Sequence, residues 1–151
     1  MPIYAKNRRA YFDYEIGEKL EAGIVLSGQE VKSVKLGHAS LAGSYAKIQN
    51  GQAVLINATI KPYPYASGLE NYEPTRSRKL LLHKNQILKL ETRLSEKGLN
   101  LIPLEIYAKK GLVKLLLSVG KSKKKIDKRE SIKRRELKKT IERATKKNLI
   151  N

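Results

Sequence analysis

Side chains able to make or break bonds are scarce in this chain. There are two aspartates, Asp13 and Asp127, two histidines, His38 and His83, and no cysteine. Without thiols, neither a disulfide framework nor a thiolate metal site can form, and a reducing compartment is the natural home. No His-Glu-x-x-His spacing occurs, nor any paired-carboxylate spacing. Gly120-Lys121-Ser122 imitates the end of a phosphate-binding loop, but the earlier glycine of that motif would fall at Leu115, and a basic run follows in place of a helix. The expectation is a protein that is not an enzyme and uses no metal or cofactor. What remains is recognition chemistry: charge, hydrogen bonds and aromatic faces.

Charge is the strongest of these. Lys and Arg number 32 against 14 Asp and Glu, a net of +18 over 151 residues. The excess is uneven, because residues 1–120 carry +8 and residues 121–151 carry +10. Such a field favours a polyanion, with nucleic acid the leading candidate. A membrane surface is the weaker rival, since the basic end lacks a Trp- or Phe-bearing apolar face. No stretch approaches the ~20 apolar residues that span a bilayer, and Met1 to Arg9 has no apolar core of a leader peptide. A soluble, cytoplasmic protein is expected.

The elements that must carry this charge read as follows. Ala22, Ile24 and Leu26 alternate as one buried face of a strand. Ser27 and Glu30 then have capping-box spacing, so the strand turns into a short helix that Gly37 ends. Glu21 and Lys32 are polar groups beside this apolar unit, and solvated surface charges are their bland reading. Upstream, Tyr11, Phe12, Tyr14 and Ile16 read as strand residues, with Gly17 a bend or bulge. His38-Ala39-Ser40 reads as a loop. Asn50-Gly51 predicts a two-residue hairpin between strands 44–49 and 52–60. Residues 61–78 form a long loop holding three prolines, three tyrosines and three basic residues. Its rings could stack on unpaired bases or could simply pin the loop to the body. A strand over 79–83, an amphipathic helix over 84–97 and a second hairpin, 99–107 with 112–119, complete the body. Pro103 confines its strand to an edge or a bulge.

About six antiparallel strands with peripheral helices point to a mainly β protein, a small barrel or sandwich, the OB-like architecture among the options. Residues 1–120 form the body and residues 121–151 a basic tail. In the tail Leu137, Ile141 and Ala144 make one thin apolar line. That is too little surface to offset ordering, so the tail is expected to be mobile alone and helical on an anionic partner.

Four blocks taken in order resemble one family. They are Asn7-Arg8-Arg9-Ala10; Glu21-Ala22-Gly23-Ile24 with Gly28-Gln29-Glu30-Val31-Lys32-Ser33; Pro74-Thr75-Arg76-Ser77-Arg78-Lys79-Leu80-Leu81-Leu82-His83; and the basic run through Asp127-Lys128-Arg129. Together they resemble the small protein B family, the SsrA-binding proteins of bacterial trans-translation. The resemblance implies an OB-like six-stranded barrel that binds the tRNA-like domain of tmRNA and joins a stalled 70S ribosome as a monomer. It also implies a tail that becomes ordered against 16S rRNA, in the decoding centre and the empty mRNA channel. By that resemblance Glu21, Leu81 and His83 face tmRNA, and Asp127, Lys128 and Arg129 act in the decoding step, beside Lys123, Lys124 and Lys125.

With RNA as the partner, Arg8, Arg9, Lys32, Arg76, Arg78, Lys79 and Lys84 become candidates for phosphate contacts, with Asn7 in the entry motif. Glu21 then has two possible roles, accepting from a base edge or orienting a neighbouring Lys or Arg. From position alone His83 reads as a strand-edge residue or as an RNA contact. The chain departs from the family pattern at His83, where some members have Asn; at Ser122, where glycine is expected; and at Ile126, which lacks a π face. The runner-up is a general rRNA-binding or ribosome-assembly protein; an RNA-processing enzyme is a distant third.

Overall fold

The computed structural model describes residues 2–123, 129, 132–141 and 143. Its elements are β1 (Ile3–Lys6), α1 (Arg8–Asp13), β2 (Tyr14–Ile24), α2 (Gly28–Lys35), β3 (Ala39–Ser40), β4 (Tyr45–Gln49), β5 (Gln52–Ile56), β6 (Thr59–Ile60), β7 (Arg78–Leu81), α3 (Lys84–Leu94), β8 (Leu99–Lys109) and β9 (Leu112–Ser122). The strand pairings run β8-β4-β5-β7-β2-β9 and return from β9 to β8. These six antiparallel strands form the OB-like barrel that the strand count anticipates. Its narrowest seam is β4 against β8, a single register pair between Ala46 and Leu101. β1 adds to β8 from outside the ring, and β3 with β6 makes a separate two-stranded ladder.

Local chemistry explains most of these elements. Asn50 and Gly51 have φ of 53° and 71°, the left-handed pair that a tight hairpin requires. The Ser27 hydroxyl accepts from Glu30 N at 3.3 Å while Ser27 N donates to Glu30 Oε1 at 2.9 Å, the complete capping box of α2. Pro103 sits at the register shift of β8, between Pro103 and Glu105. Gly17 sits at the matching shift of β2, between Ile16 and Lys19. A Cβ on Gly17 would lie 2.6 Å from the Val119 carbonyl oxygen.

Those two bulges explain the two apolar clusters seen among the described residues. Beyond the bulge in β2, Leu20, Ala22 and Ile24 face the barrel interior with Leu55, Leu80, Leu101, Ile106, Leu115 and Leu117. Before it, Tyr14 and Ile16 face outward and, with Tyr11 and Leu116, pack on Ala10, Ile102 and Leu104. Inserting one residue flips every side chain that follows to the other face.

Several expectations are corrected. Tyr11 and Phe12 belong to α1 rather than to a strand. Asn7 initiates that helix by accepting from Ala10 N at 3.2 Å, and burial of Ala10 against Ile102 and Leu104 fixes it. β1, β3 and β6 are too short for a periodic signal, and β3 falls where a loop is expected. β5 stops at Ile56 because Asn57 takes φ of 64°. α3 ends at Leu94, short of residue 97. β9 continues through Ser122, which pairs with Tyr14, and Lys123 N donates to the Asp13 carbonyl at 2.9 Å.

Candidate nucleic-acid interface

The three positions singled out by family resemblance lie on separate elements. Glu21 is on β2, Leu81 ends β7, and His83 is the N-cap of α3. The fold brings them into one open cleft of about 380 Å³, with Gly23, Leu82, Gln86 and Lys114 completing the wall. The bottom of the cleft is the β2–β7 pairing, in which Gly23 lies opposite Leu81. A Cβ on Gly23 would stand 3.1 Å from Leu81 Cβ, so the glycine leaves the leucine its room. Leu81 is 54% exposed, an apolar surface offered to solvent at the centre of a basic protein. His83 is exposed, and its backbone N donates to Gln86 Oε1 at 2.9 Å, which fixes the start of α3.

Glu21 is held rather than idle. Its Oε2 accepts from the Tyr107 hydroxyl, and Lys109 Nζ lies 3.4 Å away. The Tyr107 hydrogen bond holds this carboxyl below its ordinary range against the opposing effect of burial, with Lys109 and the charge of Lys114 adding to it. Burial and the Glu21 charge push the Tyr107 hydroxyl up, so it stays protonated and donates. The carboxylate keeps further lone pairs for another donor. The cleft therefore presents one fixed acceptor, the apolar side chains of Leu81 and Leu82, one imidazole and a nearby lysine. It can bind a shaped polyanion with a few hydrogen bonds. Among the described residues no group of three or more His, Asp or Glu could hold a metal ion.

Other expected contact residues are dispersed. Lys79 and Leu81 are the two exposed residues of β7, on its outer face. Lys84 is exposed at the start of α3, and Lys32 is exposed on α2, its Nζ 5.7 Å from the Tyr63 ring centroid. Arg8 and Arg9 are exposed on α1, where Arg9 pairs with Asp13 at 3.1 Å and stacks its guanidinium on Phe12.

Two expected contacts are structural instead. Arg78 is 0% exposed. It donates to Glu30 Oε2 through Nε at 3.0 Å and Nη2 at 2.8 Å, and to the carbonyls of Ala58, Arg76 and Pro74. β7 alternation places Arg78 on the inward face with Leu80, where only a buried carboxylate could receive it. Asn7 is likewise buried, and its amide donates to the Pro103 carbonyl at 2.8 Å while its oxygen caps α1. Arg76 is partly exposed but reaches inward to Glu30 Oε1. Burial would raise the Glu30 carboxyl; the donors from Arg76, Ser27 and Arg78 outweigh it and bring it down to about 2.

Sequence reasoning overlooked Tyr107, Lys109, Lys114, Gln86 and Gly23. Their signal lies in register, because Glu21 on β2 is opposite Leu116 on β9, and Tyr107 on β8 is opposite Lys114 on β9. No local pattern carries that pairing.

Of the tail residues, Lys123 is half-buried, and its Nζ donates to the Tyr11 carbonyl at 3.2 Å. Arg129 is helical and exposed, and residues 132–141 are helical with every side chain exposed. Lys124, Lys125, Ile126, Asp127 and Lys128 lie outside the described residues. No helix among the described residues is long and apolar enough to cross a membrane.

Comparison with known proteins gives a consistent result. A family model described as SmpB protein matches residues 4–147. The SsrA-binding protein of Geobacillus sp. (strain WCH70) is 49% identical over 142 residues, which cover 94% of this chain and 91% of that protein. The SsrA-binding protein of Chlorobaculum tepidum is 51% identical over 141 residues, covering 93% and 89%. A solved chain from "tmRNA-SmpB: a journey to the center of the bacterial ribosome" superposes with a TM-score of 0.66 at 43% identity, covering 84% of this chain and 92% of that one.

Proposed function

This chain belongs to the SmpB protein family, and on that premise we propose that it binds SsrA RNA, the tmRNA of trans-translation, and carries it to stalled ribosomes so that the nascent peptide is tagged and released. The observation that supports this most is the meeting in one cleft of Glu21, from β2, with Leu81 and His83, which lie far from it along the sequence. Folded RNA hides its base edges in a deep major groove, so a protein must read shape, 2′-hydroxyls and a few splayed bases. In this reading Leu81 packs on a sugar or base face. Glu21, already oriented by Tyr107 and Lys109, accepts from a base edge or a 2′-hydroxyl. His83 supplies a donor or an acceptor. Lys79, Lys84, Lys109 and Lys114 meet phosphates around the cleft, and Arg8, Arg9 and Lys32 extend the basic surface.

The protein supplies recognition and positioning, performs no bond chemistry of its own, and works as a cytoplasmic monomer. The body, ending at Lys123, holds tmRNA. The tail that follows, with its Asp127-Lys128-Arg129 segment, engages 16S rRNA in the decoding centre and the mRNA channel of the 70S ribosome.

The deciding experiment is competition binding of the full chain to tmRNA against bulk tRNA and rRNA fragments. Preferential binding of tmRNA, lost in Glu21→Ala, is expected, with log affinity falling by about 0.7–0.9 per phosphate contact for each decade of salt. Equal binding of all these RNAs would replace the proposal with a general rRNA-binding role. Removing residues 124–151 should leave tmRNA affinity nearly intact and abolish tagging on stalled ribosomes.

A further inference from the structure

The loop over residues 61–77 is not explained by the cleft. Two of its three tyrosines are tied to the body. The Tyr72 hydroxyl donates to the Ile60 carbonyl at 2.8 Å and lies 3.1 Å from Glu30 Oε2, while Tyr63 is half-buried with its N donating to Gln29 Oε1 at 3.0 Å. Tyr65 is different, being 82% exposed. Its ring meets Tyr63 edge-on at 5.4 Å and 70°, and Lys32 stands over Tyr63. The result is an aromatic pair with a lysine beside it and at least one open ring face.

This pair is also rigidly presented. The segment reads Pro62-Tyr63-Pro64-Tyr65, so two fixed φ angles flank Tyr63 and precede Tyr65. Lys61 is tied at both ends, its N donating to the His38 carbonyl at 3.0 Å and its carbonyl accepting from Ser33 Oγ at 2.5 Å. Ala66 N closes a turn on the Tyr63 carbonyl at 3.1 Å. A braced backbone has little conformational entropy left to lose when something stacks on the ring it carries.

We propose that Tyr65 and Tyr63, with Lys32, form a second RNA contact that stacks an unpaired base of SsrA RNA and places its phosphate on the lysine. Stacking on Tyr is sequence-tolerant because every base has a π face, and an adjacent cation provides for the backbone. The occupant is assigned to SsrA RNA because exposed Leu81, Lys79 and Val25 lead out of the cleft along paired β7 and β2, Val25 N donating to the Lys79 carbonyl at 2.9 Å, toward the start of α2. One continuous partner can lie across that strip. The inference rests on the reading of the chain as an SsrA-RNA-binding protein.

The test uses the full chain with SsrA RNA alone and with 70S ribosomes alone. Tyr65→Ala should weaken SsrA RNA binding about tenfold, the value of one lost base stack, and Tyr65→Phe should restore it. Lys32→Gln should weaken it less and reduce the salt dependence. Ultraviolet cross-linking should map to an unpaired nucleotide in the wild type and vanish in Tyr65→Ala. Tyr65 is exposed, so its variants should melt like the wild type, and a lowered melting temperature with equal loss in the Phe variant would overturn the contact role. Unchanged SsrA RNA affinity in Tyr65→Ala, while Glu21→Ala loses binding, would overturn this inference and leave the proposed function standing. A loss confined to the ribosome arm would overturn the assignment to SsrA RNA. A wild type that does not prefer SsrA RNA would instead remove the proposed function itself.

Discussion

Glu21 and Glu30 sit on consecutive elements, β2 and α2, and both accept from a tyrosine hydroxyl or lie within reach of one, with basic side chains beside them. Their surroundings make them opposites. The Glu30 side chain is 0% exposed, and its oxygens are taken by Ser27 N, Arg76, Arg78 and the Tyr72 region. The Glu21 side chain is 34% exposed, and one oxygen takes both of its donors. A buried carboxylate needs every lone pair matched, because each unmatched one carries the full desolvation cost. A surface carboxylate needs only to be aimed. One acid fastens the 61–78 loop to the barrel; the other waits at the cleft. The lesson is that a Glu with cationic neighbours is assigned a role by burial and by the number of donors, not by the charges alone.

The largest expected effect breaks the buried side of this comparison. Arg78→Ala removes the buried cation from Glu30 Oε2, leaving Arg76 on Oε1, and should cost about 3–5 kcal/mol, read by urea unfolding. Should Arg78→Ala keep its stability and lose only RNA affinity, the two acids would have to exchange roles.

Acid should act on the same group. The Glu30 carboxyl is about 2 in the folded protein against 4.5 ordinarily. A folded value below the unfolded one means the contribution is present above 4.5 and disappears as pH falls from 4.5 through about 2. At about 1.4 kcal/mol per pH unit, that contribution is on the order of 3 kcal/mol. Unfolding free energy measured between pH 5 and 2 should fall accordingly, and a Glu30→Gln variant, already weakened, should show a shallower fall. Equal slopes in the two proteins would mean another group dominates.

The surface side should respond in binding rather than in stability. Glu21→Ala should reduce SsrA RNA affinity while changing unfolding by no more than about 1 kcal/mol, the range of an exposed pair. Collapse of the fold would move Glu21 to the structural class. Tyr107→Phe gives the finest distinction. It keeps the ring and removes the donor, so it should cost about 1 kcal/mol and let the Glu21 carboxyl rise toward its ordinary range, as seen by carboxyl-carbon NMR titration. If that titration does not move, Lys109 rather than Tyr107 orients the acid.

Much of the frame was legible from local chemistry. Asn50-Gly51, the Ser27–Glu30 box, Gly17 and Pro103 each have a conformational requirement that few residues or pairs meet, and each appears in the structure as expected. Tyr11 and Phe12 were misread because aromatic residues suit strands, while Asn7 and the burial of Ala10 decided for a helix. Arg78 was misread for a related reason. Within Thr75-Arg76-Ser77-Arg78 it looks like one of several surface cations, and only its parity with Leu80 on β7 turns it inward.

The sequence by itself determined the turns, the caps, the strand-rich class, the sparse catalytic equipment and the concentration of positive charge toward one end. These follow from the conformational limits and ionisation of individual residues and short spacings. Only the tertiary structure decided which charge is buried and which is offered, and which residues face one another across the cleft. Those outcomes depend on strand register, and bulges at Gly17 and Pro103 reverse the two faces of their strands. Glu21 meets Tyr107 across 86 residues of chain, and Glu30 meets Arg78 across 48. Such pairs are fixed by packing in the OB-like barrel, which no short stretch of sequence contains.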